Sequence, residues 1–176
     1  MLKRHHIDIA LASACWLLAA VAVWLSASGC EQVSMVFWSI LFSIPVVVVG
    51  SVFVGWRRHT GRSIFSAVIS SLACLAFIAS IAAWQWPLRV SYGWSRAAFD
   101  SLAKRVRAGH EFELPQQVGL LTIHKVGVSY NGIVCLWTIP KRGGNTGFVQ
   151  CGRDYVPFNL WSLVKLDDHW QFITED

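Results

Sequence analysis

The chain reads as a membrane α-helical protein: three transmembrane helices, plus a small extramembrane α+β domain with one helix against an antiparallel β-meander. Three observations predict this class. Only 14% of the 176 residues are charged and 55% are hydrophobic, against roughly 25% charged in an average soluble domain. The deficit sits in residues 1–86, where three long apolar runs are separated by two short polar gaps. Residues 87–176 return to an ordinary charge balance and show alternating segments punctuated by turn signals.

The runs span about 9–28, 33–56 and 64–86, each near or above the ~20 residues that cross ~30 Å of hydrocarbon. None contains Lys, Arg, Asp, Glu or His. That absence argues against a pump or ion-coupled transporter, whose pathways place ionisable groups at membrane depth. Lys3 and Arg4 precede the first run, Glu31 is the only charge in the first gap, and Arg57, Arg58 and Arg62 lie in the second. Basic residues stay cytoplasmic in short loops. The predicted localisation is therefore integral membrane, with a cytoplasmic N-terminus and the C-terminal domain non-cytoplasmic (periplasmic or extracellular).

Met1 to Cys30 resembles a bacterial lipoprotein signal: a basic start, an apolar stretch, then Ala27-Ser28-Gly29-Cys30. Ala27 stands where the usual box has Leu. Cys30 is thus a lipidation candidate, set against the plainer reading of an ordinary first span ending in a small-residue loop. Pro45 should kink the second span. Ser66, Ser70, Cys74, Ala79 and Ala83 give the third a small-residue stripe suited to packing within a bundle. Trp56, Trp84 and Trp86 read as interfacial belt anchors, and Cys15 and Cys74 as inert packing.

Residues 1–86 carry five basic and two acidic side chains, and residues 87–176 carry ten and eight. The pI of about 9.2 therefore reflects loop arginines and does not indicate nucleic-acid binding. About 90 residues after the spans suffice for one small core. Pro87 is expected to end the third span. A helix should follow over 94–108, with Phe99, Leu102, Ala103 and Val106 on one face and basic residues on the other, stopped by Gly109.

Next comes a meander. Asn131-Gly132 is a strong hairpin signal between alternating segments. A two-residue turn there sets Tyr130 opposite Ile133, Val128 opposite Cys135 and Val126 opposite Trp137. A second hairpin centred on Gly143 sets Cys135 opposite Cys151, within disulfide reach. A Cys135–Cys151 disulfide is expected if the domain is extracytoplasmic. Leu160–Leu166 and Trp170–Ile173 close the sheet across Asp167-Asp168-His169, with Trp170 and Phe172 on one face.

His110, Glu111 and Glu113 are metal-ligand types, with His124 further on. They lie in a loop entering a strand and do not converge, so no metal or other cofactor is expected. Acidic residues at the Asp167 turn suit local hydrogen bonding. No Gly-x-Ser-x-Gly, Cys-x-x-Cys, P-loop or His-Glu-x-x-His motif occurs, and the chain is not expected to be an enzyme.

The expected role is a multi-pass membrane protein presenting a non-catalytic binding or scaffolding domain. Its partners would be the lipid bilayer and another membrane or envelope protein, with no nucleic acid. Trp94, Trp137, Trp161 and Trp170 are its candidate partner-binding aromatics. The alternative is a small-molecule sensor or an accessory subunit of a membrane transport complex.

Overall fold

The computed structural model describes residues 2–28, 61–129, 131–141, 144–151 and 158–175. The chain divides into two compact units, the second of which holds Pro87–Asp176.

In the first unit, helices α1 (Leu2–Ala27) and α2 (Gly61–Trp84) meet through small side chains. Ala19 packs with Cys74 and Ile78, and Phe77 lies against them. Trp16 tilts onto the Phe77 ring at 6.0 Å, and Trp86 meets the same ring edge-on at 5.8 Å. Helix α2 stops at Gln85, whose φ of 50° is left-handed and whose N–H donates to the Ile81 carbonyl at 2.8 Å. That is the αL helix stop, here built on a non-glycine residue.

The three-transmembrane-helix prediction is overturned. Among the described residues no single helix is long and apolar enough to cross a membrane. Among the described residues, Trp16–Ala27 is a shorter apolar helix, with a rise of roughly 18 Å at 1.5 Å per residue. Leu72–Trp84, again among the described residues, passes by length and composition only when paired with the helix that follows Gln85. The multi-pass, integral-membrane localisation and its sidedness rested on those spans and fall with them. So does the belt role of Trp84 and Trp86. The second predicted span, with Pro45, the Arg57-Arg58 loop and Cys30, lies outside the described residues.

In the second unit, α3 (Trp86–Arg107) begins eight residues before the predicted helix. Pro87 does not separate it from what precedes. In a helix's first turn the missing N–H has no partner to lose, so proline opens α3. Leu88, Tyr92, Phe99, Leu102, Ala103 and Val106 recur at three- and four-residue spacing and are buried. The helix ends in a Schellman motif: Gly109 at φ 74°, its N–H donating to Val106 O (3.0 Å), and His110 N–H to Arg105 O (3.2 Å). Lys104, Arg105 and Arg107 occupy the last turn, where they suit the helix dipole.

A short hairpin follows, pairing β1 (Gln116–Val118) with β2 (Leu121–Ile123). Then come β3 (Lys125–Val128), β4 (Val134–Lys141), β5 (Gly144–Gln150), β6 (Leu160–Lys165) and β7 (Trp170–Glu175). They form one antiparallel sheet in the order β3-β4-β5-β7-β6. This is not a simple meander, because β7 inserts between β5 and β6. Placed there it pairs on both edges and is buried from Trp170 to Thr174.

Helix α3 covers one face of the sheet. Phe99 has its ring 4.8 Å from Phe148 and 5.5 Å from Trp170, and Phe172 meets Phe148 edge-on at 5.0 Å. Trp170 and Phe172 share this face as expected.

Candidate binding cleft

The register of β3 and β4 decides what the other face carries. Lys125 pairs with Trp137, Val126 with Leu136, Gly127 with Cys135 and Val128 with Val134. This is one residue away from the expected pairing, and a one-residue slip turns every side chain to the opposite face. The turn explains it. Ser129 N–H donates to Ile133 O and Gly132 N–H to Ser129 O, both at 2.9 Å, with Gly132 at φ 73°. The loop therefore has three residues and ends on a left-handed glycine, where the sequence suggested two. Leu136 and Val134 consequently face α3, while Cys135 and Trp137 face away.

On that second face Ile133, Cys135, Trp137, Val149, Cys151 and Ile173 form a separate buried cluster, with Phe158 and Leu160 against it. Phe158 meets Trp137 edge-on at 6.3 Å. Between β3 and this cluster lies an open cleft of about 450 Å³, lined by Lys125, Gly127, Ser129, Cys135, Trp137 and Phe158. Glycine at position 127 opens it. A Cβ built there meets nothing within 4 Å, so the missing side chain leaves space above Cys135. The walls are an indole, a phenyl ring and a thiol; the polar groups are the Lys125 ammonium and the Ser129 hydroxyl.

Cys135 is buried, and burial pushes its thiol up to about 12, helped by the nearby charge of Glu175 and by Cys151. Its Sγ lies 3.7 Å from Ile133 O. The second hairpin also departs from the expected register: Cys135 pairs with Val149, and the ladder shifts between Trp137 and Ile139. Cys151 is then the diagonal neighbour of Cys135 on the same face. Diagonal neighbours lie about 7–8 Å apart at Cα, outside the roughly 4.4–6.8 Å that a disulfide spans. Both residues carry thiols here.

The other expected site residues scatter. Trp170 is fully buried in the core, and its indole donates to Asp100 Oδ1 at 2.9 Å. Trp94 and Trp161 are exposed, at 77% and 60%, on α3 and on edge strand β6. Trp137 alone of the four lines the cleft. His110, Glu111 and Glu113 are exposed in the segment after α3. Among the described residues no three His, Cys, Asp or Glu side chains come together to hold a metal. His124 is exposed, and its backbone N–H donates to Trp137 O at 2.8 Å.

Sequence reasoning also missed a polar junction. Asp167 accepts from Tyr92 Oη at 2.5 Å, from the backbone N–H of His169 and Trp170 at 2.7 and 2.8 Å, and lies 3.2 Å from Arg96 Nε. Burial pushes its carboxyl up, but the Tyr92 hydroxyl, the two N–H donors and Arg96 outweigh it and hold the group below the usual carboxylate range. Burial and the Asp167 carboxylate hold the Tyr92 hydroxyl far above its ordinary value. Asp167 thus makes the local turn bonds expected of an acidic hairpin residue and also ties the β6–β7 turn to α3. Only the turn bonds have a sequence signal. The link to Tyr92 crosses 75 positions.

Comparison of the chain with family models, curated proteins and solved structures finds no match.

Proposed function

We propose that the Pro87–Asp176 unit is a non-catalytic binding module and that the cleft over β3 and β4 is its recognition site. The observation that carries this reading is the cleft's composition. A space of about 450 Å³ with aromatic walls and one cationic rim residue falls in the range of ligand sites, which are mostly apolar with a few placed polar groups. The chemistry selects an apolar or aromatic group bearing an acid: rings pack on Trp137 and Phe158, and the acid pairs with Lys125. Binding is favoured over catalysis because the thiol in the walls, Cys135, is pushed up to about 12 by burial and stays a thiol at neutral pH. The Asp167 carboxyl and the Tyr92 hydroxyl are committed to each other at the α3 junction.

The test is two-dimensional NMR of the intact chain titrated with a set of small aromatic carboxylates. The expected result is shifts at the Gly127 amide and the Trp137 indole that disappear in Gly127→Leu, with the melting temperature preserved because position 127 opens onto empty space. Shifts that avoid the cleft, or that persist in Gly127→Leu, would overturn the reading.

A further inference from the structure

We infer that the cleft's occupant is an extended peptide that adds to β3 as a sixth strand and places one apolar side chain over Gly127. This rests on the cleft being the recognition site, and it names the partner.

The backbone argues for a peptide. Ser129 and Ile133 form a hydrogen-bonded pair, fixed by the Ser129 N–H to Ile133 O bond. Hydrogen-bonded and non-bonded pairs alternate along an antiparallel ladder. Val128 and Val126 are therefore the residues whose N–H and C=O point away from β4. Among the described residues β3 ends the sheet on this side, and Val128 is 51% exposed. A row of outward donors and acceptors spaced by two residues is matched by another extended main chain. A compact ligand cannot satisfy it.

Side chains argue for the same geometry. A strand paired antiparallel to Val126 and Val128 sets one residue opposite Gly127, in a non-bonded pair where Cα atoms approach to about 4.5 Å. Glycine permits that approach, and its missing side chain directs the incoming one over Cys135 toward Trp137 and Phe158. The peptide residue two places toward its C-terminus stands opposite Lys125, which selects Asp or Glu there. The recognised pattern is apolar-x-acidic.

Strand β6, the opposite edge, does not offer the same surface despite the exposed Trp161 and Leu163. Its pairing with β7 is interrupted between Leu160 and Ser162. Such irregularities twist an edge away from further pairing. The β3–β4 register runs unbroken from Lys125 to Val128.

The experiment is selection of a randomised octapeptide library on the intact chain, followed by anisotropy titration of the recovered peptides. Expected are enrichment of the apolar-x-acidic pattern and loss of affinity by at least tenfold when the peptide amides facing Val126 and Val128 are N-methylated. Methylation changes the peptide alone, so no failure of folding enters. Lys125→Glu should invert the preference at the acidic position. Recovery of no common pattern, or indifference to N-methylation, overturns the inference. If aromatic carboxylates still shift Trp137 in that case, the cleft is a small-molecule site and only the peptide is lost.

Discussion

The two faces of the five-stranded sheet are built from the same strands and solve different problems. On the α3 face, Phe99, Phe148, Trp170 and Phe172 interlock beneath a helix that supplies a residue at every turn. On the other face a smaller cluster around Cys135 and Trp137 is covered only in part, and the sheet opens into a cleft at Gly127. On the function proposed above, the first face would carry stability and the second recognition. Substitutions on each should separate these roles.

The largest effect belongs to the closed face. Phe99 is fully buried and touches three aromatic rings. Phe99→Ala should cost about 3–5 kcal/mol, read as a lower midpoint in chemical denaturation. A loss below about 1 kcal/mol would mean that α3 does not hold the sheet as described.

Next is Gly147, opposite Trp137 on the open face. An added Cβ would lie 2.2 Å from the Leu136 carbonyl oxygen and 2.7 Å from Trp137 Cα. Those are backbone atoms that cannot step aside. Gly147→Ala should destabilise by about 1–3 kcal/mol, as overpacking does, and shift Trp137 fluorescence because the cleft wall moves with it.

The Asp167 junction gives a pH test on the closed side. Its carboxyl is held below the unfolded value of about 3.9. Its contribution is therefore present above pH ~4 and lost as pH falls through the lower folded value. Asp167→Asn should cost about 1.5–3 kcal/mol at neutral pH, the scale of hydrogen bonds to a charged group. It should also flatten the acid limb of stability below pH 4. Equal acid sensitivity in both proteins would place the titrating group elsewhere.

These contrasts show what the sequence made legible. The amphipathic face of α3, the turn at Gly132 and the β6–β7 hairpin each have a local signal, and each is present. The register was not legible, and with it the division of residues between faces. Ile133-Val134-Cys135-Leu136-Trp137 is apolar without a break, so a strand buried on both sides offers no alternation to choose its register. One loop residue then decides the matter. The same ambiguity concealed the site, since Cys135 and Trp137 read as core partners of Val126 and Val128. The long apolar runs read as spans from length and composition alone; among the described residues no single helix is long and apolar enough to cross a membrane.

The smallest effect is the most specific. Gly127 and Gly147 lie on the same face, two strands apart, and Gly127→Ala meets nothing within 4 Å where Gly147→Ala meets backbone. A strand glycine replaced without clash gains about 0.4–1 kcal/mol, because the unfolded chain loses freedom. Gly127→Ala should therefore raise the melting temperature slightly while narrowing the cleft. One substitution type, made at two glycines of one face, should move stability in opposite directions. If both destabilise, the space over Cys135 is filled in solution and the cleft is not open. If Gly127→Ala stabilises and weakens binding together, the missing side chain at 127 is kept for recognition at a cost to the fold.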